Sequence, residues 1–152
     1  MSYTNDFFIE EELDGCFFRL MDEQVNDFLR ELELDVPPLD VCGKPGGGAV
    51  CPDVHISECE RTEKERAIRL DAYSVAITFP VPEGECADLY CYAYAAAFDK
   101  ALRLNPTLGD LANEAVLTGK KYIRPRKPGC GGEWNLVITV RVTVERIADD
   151  GE

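Results

Sequence analysis

The sequence predicts an α+β fold: a mixed, mainly antiparallel sheet of about four strands with helices packed on it. Three observations predict it. Residues 73–81 and 134–144 alternate apolar and polar side chains, the period of a strand with one face buried. Residues 85–104, between them, are rich in Ala and aromatics at helical spacing. Residues 4–34 carry an apolar stripe on an acidic background. With 152 residues and no internal repeat, residues 1–152 read as a single domain. Its parts are an N-terminal helix within 1–35, a flexible loop at 37–53, and a sheet with its packed helix at 54–147.

The first helix is expected over 4–34, broken near Gly15. Phe17, Met21, Val25, Phe28, Leu29 and Leu32 recur at spacings of three and four. Thr4, Asn5 or Asp6 supplies the N-cap, and Glu10, Glu11 and Glu12 lie early, toward the positive end of the helix dipole. Val36, Pro37 and Pro38 stop the helix. The run CGKPGGG at 42–48 superficially resembles a phosphate loop. It lacks the terminal Gly-Lys-Ser/Thr, because Lys44 precedes the glycines, so it reads as a flexible turn or an inter-subunit loop.

Residues 53–60 form a short strand through Val54 and Ile56, and 61–66 a charged turn. Ile68 and Leu70 sit on even positions, but the apolar residues from Tyr73 to Val81 are odd. That change of face predicts a bulge near Asp71 and Ala72. Residues 53–60 and 67–81 thus read as an antiparallel hairpin with a long charged tip. On the 85–104 helix, Leu89, Ala93, Ala97, Ala101 and Leu104 line one face, widened by Tyr94, Phe98 and Leu102. Tyr90, Tyr92 and Tyr94 read as packing aromatics with hydroxyls turned to solvent. Asn105 ends the helix in a left-handed conformation and Pro106 follows.

Residues 111–117 lead into an edge strand. Lys120, Lys121, Arg124, Arg126 and Lys127 then crowd into eight positions, with Pro125 suiting an edge or an exposed loop. The turn PGCGG at 128–132 joins this run to the last strand. There Trp134, Leu136, Ile138, Val140, Val142 and Val144 share one face. The acidic tail after Ile147 is expected to be loose.

Net charge is −13, unevenly placed: residues 1–60 hold 15 Asp/Glu against 3 Lys/Arg, and residues 61–152 hold 14 against 13. An acidic half repels phosphate backbones, so direct nucleic-acid recognition is not expected. It serves solubility, or meets a basic face on another subunit. No apolar run approaches the roughly 20 residues of a membrane helix. No signal peptide is legible at the N-terminus, so the protein is expected to stay in the cytoplasm.

Seven cysteines, an odd number, exclude a complete disulfide framework and read as free thiols. Cys42, Cys51, His55 and Cys59 are the one set that invites a metal, and a small metal-binding module or enzyme is the alternative reading. They lack the close ligand pairs of a structural zinc site. No catalytic set is legible. His55 is the only histidine, and neither a nucleophile elbow, an EF-hand loop nor a dinucleotide fingerprint occurs. No cofactor is expected.

The C-terminal half resembles the tail terminator and tail-completion proteins of long-tailed bacteriophages and prophages. The likeness covers residues 54–146. It rests on the strand at 73–81, the helix after it, the turn Asn105, Pro106, Thr107, Leu108, Gly109, Asp110, Leu111, and the hairpin into 134–144. A Pro-Thr-Leu-Gly-Gly turn is common in that group, and here Asp110 stands for the second glycine. The resemblance implies a structural protein and no enzyme: an α+β subunit closing into a homo-oligomeric ring, typically a hexamer. The ring caps the tail tube and offers a surface to the head–tail connector. Its place is the bacterial cytoplasm during assembly, then the neck of the virion. A head-side connector or minor tail protein is the neighbouring alternative. A ring needs two different faces that fit each other. The acidic N-terminal half and the basic run at Lys120, Lys121, Arg124, Arg126 and Lys127 are the candidates.

Overall fold

The strongest alternation in the sequence lies at the centre of the sheet. The computed structural model describes residues 2–32, 34–40, 50–65, 68–127, 129 and 132–147. Strand β1 spans Asp53–Glu65, β2 Ile68–Pro82, β3 Glu114–Ile123 and β4 Glu133–Ile147. Their order in the sheet is β1-β2-β4-β3, and every neighbouring pair is antiparallel. The only parallel pairing among the described residues is an isolated bridge between Leu39 and Val50. The fold is α+β, as expected.

Helices cover one face of the sheet. Helix α1 (Ser2–Leu20) lies against β1, and α3 (Ala87–Leu104) lies across β2, β4 and β3. A π-helical turn (Met21–Val25) and α2 (Asn26–Glu31) continue α1 and pack on α3. Tyr73, Val75, Ile77, Phe79 and Val81 of β2 and Leu136, Ile138, Val140, Val142 and Val144 of β4 are buried beneath them. Phe79 stacks on Tyr94 at 5.7 Å and meets Phe98 edge-on at 6.2 Å, and Phe98 stacks on Phe17 at 6.2 Å. These rings tie sheet and helices into one core.

Helix α1 begins at Ser2, so Thr4, Asn5 and Asp6 lie within it and not at its N-cap position. Its first turn holds no acid, and Glu10, Glu11 and Glu12 lie beyond the reach of the terminal dipole. Gly15 does not break it. The irregularity comes later, at the π turn, and the stripe explains why. An α-helix turns about 100° per residue, so positions four apart overshoot a full turn by about 40°. Phe17, Met21, Val25 and Leu29 would drift by about 120°. A π turn puts one extra residue into a turn and takes back about 100°. All four side chains stay buried, while Leu32, beyond the stripe, is exposed. The helix ends at Glu31, short of the prolines, where Leu32 turns to an extended conformation.

β1 is longer than expected. The charged stretch from Arg61 is strand, paired with β2 through Glu65 and Ile68, so the long tip does not exist. β2 has no bulge: its register against β4 is unbroken from Ile68↔Ile147 to Pro82↔Glu133. A second irregularity lies between Glu63↔Arg69 and Glu65↔Ile68; the one that reorients most of the strand sits in β1 at Ser57, between Ile56↔Val75 and Glu58↔Ser74. It switches the parity of β1, so Val54 and Ile56 face the helices before it, Cys59 and Arg61 after it. β3 has the same device at Thr118, between Leu117↔Val140 and Gly119↔Thr139. Each bulged hydroxyl donates to its neighbour strand: Ser57 to the Ser74 carbonyl at 3.1 Å, Thr118 to the Thr139 carbonyl at 3.2 Å.

Helix α3 buries most of the expected face: Ala93, Tyr94, Ala97, Phe98, Ala101 and Leu102 are buried, joined by Cys91 and Ala95, while Leu89 and Leu104 are 46% and 62% exposed. The aromatics anchor that face, because they bury more apolar area than the alanines. The Tyr94 hydroxyl is not in solvent: it donates to the Pro37 carbonyl at 2.6 Å. Asn105 is not left-handed (φ −133°). It closes the helix by donating from Nδ2 to the Ala101 carbonyl and to Gln24 Oε1, both at 2.8 Å. The expectations for the glycine run with Cys42, for Cys130 and for the tail after Ile147 fall outside the described residues.

Candidate assembly surfaces

A four-stranded open sheet ends on two strands with unshared backbone groups. Among the described residues the outer edges of β1 and β3 have no strand partner. The two edges differ in charge. β1 holds five acids, Asp53, Glu58, Glu60, Glu63 and Glu65, against Arg61 and Lys64. Arg61 is also held to buried Asp71 on β2. Helix α1 adds Glu10, Glu11 and Asp14 on the same side. With Val54, His55 and Ile56 they line an open notch of about 350 Å³. Asp14 Oδ1 is buried there without a hydrogen-bond partner among the described residues. Burial raises the Asp14 carboxyl above its usual range, the charge of Asp53 raises it further, and His55 opposes both.

β3 carries the opposite sign. Lys120 and Lys121 lie in the strand, and Arg124, Arg126 and Lys127 follow it; all five are exposed. None forms an ion pair with a described residue, though the Arg124 guanidinium lies 5.8 Å from the centre of the Trp134 ring. Pro125, expected at the surface, is buried, and a side chain at Gly132 would press on it. The basic edge is also the apolar one. Val116, Tyr122 and Ile123 are exposed, and Tyr122 meets exposed Tyr92 of α3 edge-on at 5.3 Å. The edge position of β3 was legible from Pro125 and the basic run. The acidic edge was legible only in part, as an acidic half ending in a strand at 53–60, because residues 61–65 read as a turn.

The turn after α3 places three left-handed residues in succession, Leu108 (φ 51°), Gly109 (φ 70°) and Asp110 (φ 68°). It folds back so that Ala112 donates to Thr107 at 3.0 Å and Ala115 to Pro106 at 2.8 Å. These bonds carry the chain from the helix into β3. Leu108 is buried, and Cys16 Sγ lies 3.8 Å from its carbonyl, so the turn is tied to α1. Its residues act as scaffold for the β3 edge.

The metal alternative gains no geometry. His55 pairs with Ala76 on the open face of the sheet, and Cys59 with Tyr73 on the helix-covered face. Four residues along a strand span about 13 Å, whereas metal–ligand bonds are about 2.0–2.3 Å. His55 and Cys59 therefore cannot share an ion. Cys51 is exposed, and Cys42 lies outside the described residues. Among the described residues no group of three His, Cys, Asp or Glu is placed to hold a metal.

A scan against protein-family models gives no match to this chain, and a search of curated proteins gives none either. Among the described residues no helix is long and apolar enough to cross a membrane.

Proposed function

We propose that this chain is a structural subunit of a phage or prophage tail, of the tail-terminator or tail-completion kind. It works by joining copies of itself into a ring, meeting a tail-tube protein on one side and a head connector on the other. It acts first in the bacterial cytoplasm and then in the neck of the virion. The observation that supports this reading best is the sheet with two partnerless edges of opposite sign. A ring subunit needs two such unlike, mutually complementary surfaces. The order of strands, helix, turn and basic hairpin from residue 54 onward supports the tail assignment through its resemblance to that group.

The experiment is assembly itself. Sedimentation of the purified protein over rising concentration, alone and with the tail-tube protein of the same genome, is expected to yield a closed oligomer and to limit tube length. A strict monomer that leaves tube growth unchanged overturns the reading.

A further inference from the structure

The two partnerless edges match each other, and neither matches itself. Beyond the Ser57 bulge, the open side of β1 presents Glu58 and Glu60, and Glu10 of α1 lies close to Cys59 and Tyr73 on the helix side. Beyond the Thr118 bulge, β3 presents Lys121 on the open side and Lys120 and Tyr122 on the helix side. On the open face acid thus stands opposite base when β1 of one copy meets β3 of another, and on the helix side Glu10 and Glu63 outnumber Arg61, which Asp71 already holds. A β1–β1 contact would set acid against acid, and a β3–β3 contact base against base, which disfavours symmetric dimers. Directions agree as well. Because each step in the order β1-β2-β4-β3 is antiparallel, β3 runs opposite to β1. A neighbour related by a rotation that preserves strand direction therefore brings its β3 antiparallel to β1, the pairing used within the subunit. Exposed Tyr122 and Ile123 would lose water at that junction.

We propose that the β3 edge of one copy pairs with the β1 edge of the next, so that the sheets of successive subunits run on as one. The partner is a second copy of this chain, and the proposal deepens the ring reading above and rests on it. The irregularities at Ser57, between Glu63 and Glu65, and at Thr118 limit the pairing to residues 58–63 and 119–123 and so restrict its register.

Two charge-reversed full-length variants test it: Glu58→Lys with Glu60→Lys, which makes both edges basic, and Lys120→Glu with Lys121→Glu, which makes both acidic. All four positions are exposed, and circular dichroism with a thermal melt checks that each variant folds. The milder pair Glu60→Lys and Lys121→Glu repeats the test should a double variant fail to fold. By sedimentation at low ionic strength, each variant alone is expected to associate at least about tenfold more weakly than the parent chain. An equimolar mixture is expected to regain association, because each basic edge then finds an acidic one. If the parent chain and both variants assemble alike, the edge pairing is wrong while the assembly reading stands. Variants that fail alone and are not rescued by mixing also overturn it. A parent chain that stays monomeric with and without the tube protein overturns both.

Discussion

Arg61 holds Asp71 across the β1–β2 pair through two hydrogen bonds, Nε to Oδ1 at 2.7 Å and a terminal guanidinium nitrogen to Oδ2 at 3.0 Å. The Asp71 side chain is 0% exposed and that of Arg61 is 42% exposed. The carboxylate thus lies on the helix-covered side of the sheet and its counter-charge reaches it from the rim. The bond to Asp71 in turn raises the guanidinium above its ordinary value. Arg61→Ala strips a buried charge of a two-pronged partner and is expected to cost about 2–3 kcal/mol. Replacing both residues, Arg61→Met with Asp71→Leu, is expected to recover most of that loss, since no charge is left to desolvate. Urea denaturation of the four proteins measures both effects. A single-variant loss below about 0.5 kcal/mol refutes this account of the pair.

The turn after α3 stores removable strain. Asp110 holds φ 68°, where a side chain on Cβ crowds the backbone, and it is exposed. Asp110→Gly is expected to stabilise the protein by about 0.5–1 kcal/mol, strain relief exceeding the extra entropy of an unfolded glycine. Gly109→Ala is the matching control. A Cβ there would meet no atom, so its expected loss of about 1 kcal/mol comes from φ 70° alone. Thermal melts of the two variants should move in opposite directions, and a destabilised Asp110→Gly contradicts the strain.

The sheet and its covering helix were readable because their signals are local and repeated. Five β4 residues from Leu136 to Val144 at period two are all buried, and the Ala-rich segment does pack on them. What escaped the sequence depends on partners far along the chain. The parity change between Leu70 and Tyr73 looked like a bulge in β2. It instead reflects Asp71 buried on the odd side with Arg61 as its counter-charge, and that pairing is set by β1. Arg61 to Glu65 looked like a turn because charge signals solvent, yet an edge strand is half in solvent by construction. The exposure of Leu89 and Leu104 was hidden because helical spacing sets them in line with Ala93, Ala97 and Ala101, and the packing of Phe79 and Phe17 centres the buried face on the aromatics instead. Of the assembly surfaces, the basic half was legible as a charge run. The acidic half needed the topology that sets β1 at the opposite edge.

The thiols should separate by burial. Cys91 is fully buried, and burial, with the Asp88 charge adding to it, pushes its thiol up to about 11. Cys51 and Cys59 are both exposed, but partial burial raises the Cys59 thiol, and the charge of Asp71 adds to it. With a maleimide at about pH 8, Cys51 is expected to react first, Cys59 more slowly, and Cys91 only after unfolding. Peptide mapping by mass spectrometry reads the order, and fast labelling of Cys91 in the native protein refutes it. The same burial makes stability fall in alkali. Tyr73 and Tyr94 are also pushed up from their ordinary value of 10.0, chiefly by burial. A group whose folded value is raised stabilises fully below its unfolded value, and that contribution is lost as pH rises toward the folded one. The urea midpoint is therefore expected to hold to about pH 9 and to drop beyond it, with Cys91 alone accounting for about 2 kcal/mol by about pH 11.

Asp14 offers a test that joins stability to assembly. Its Oδ1 is buried without a hydrogen-bond partner among the described residues, and burial followed by the Asp53 charge raises its carboxyl from 3.8. A raised carboxyl favours the folded state below its unfolded value, and that preference fades as pH climbs through the folded one. Asp14→Asn, which cannot ionise, is therefore expected to match the parent chain near pH 4 and to exceed it in stability at about pH 7. If the notch at the β1 edge receives the basic edge of a neighbour, the same substitution removes an acid from the junction. The variant should then form a more stable subunit and a weaker oligomer, read by denaturation and by sedimentation of one preparation. A variant that gains stability with no loss of association would separate Asp14 from the interface, and one that loses stability at about pH 7 would refute the burial account.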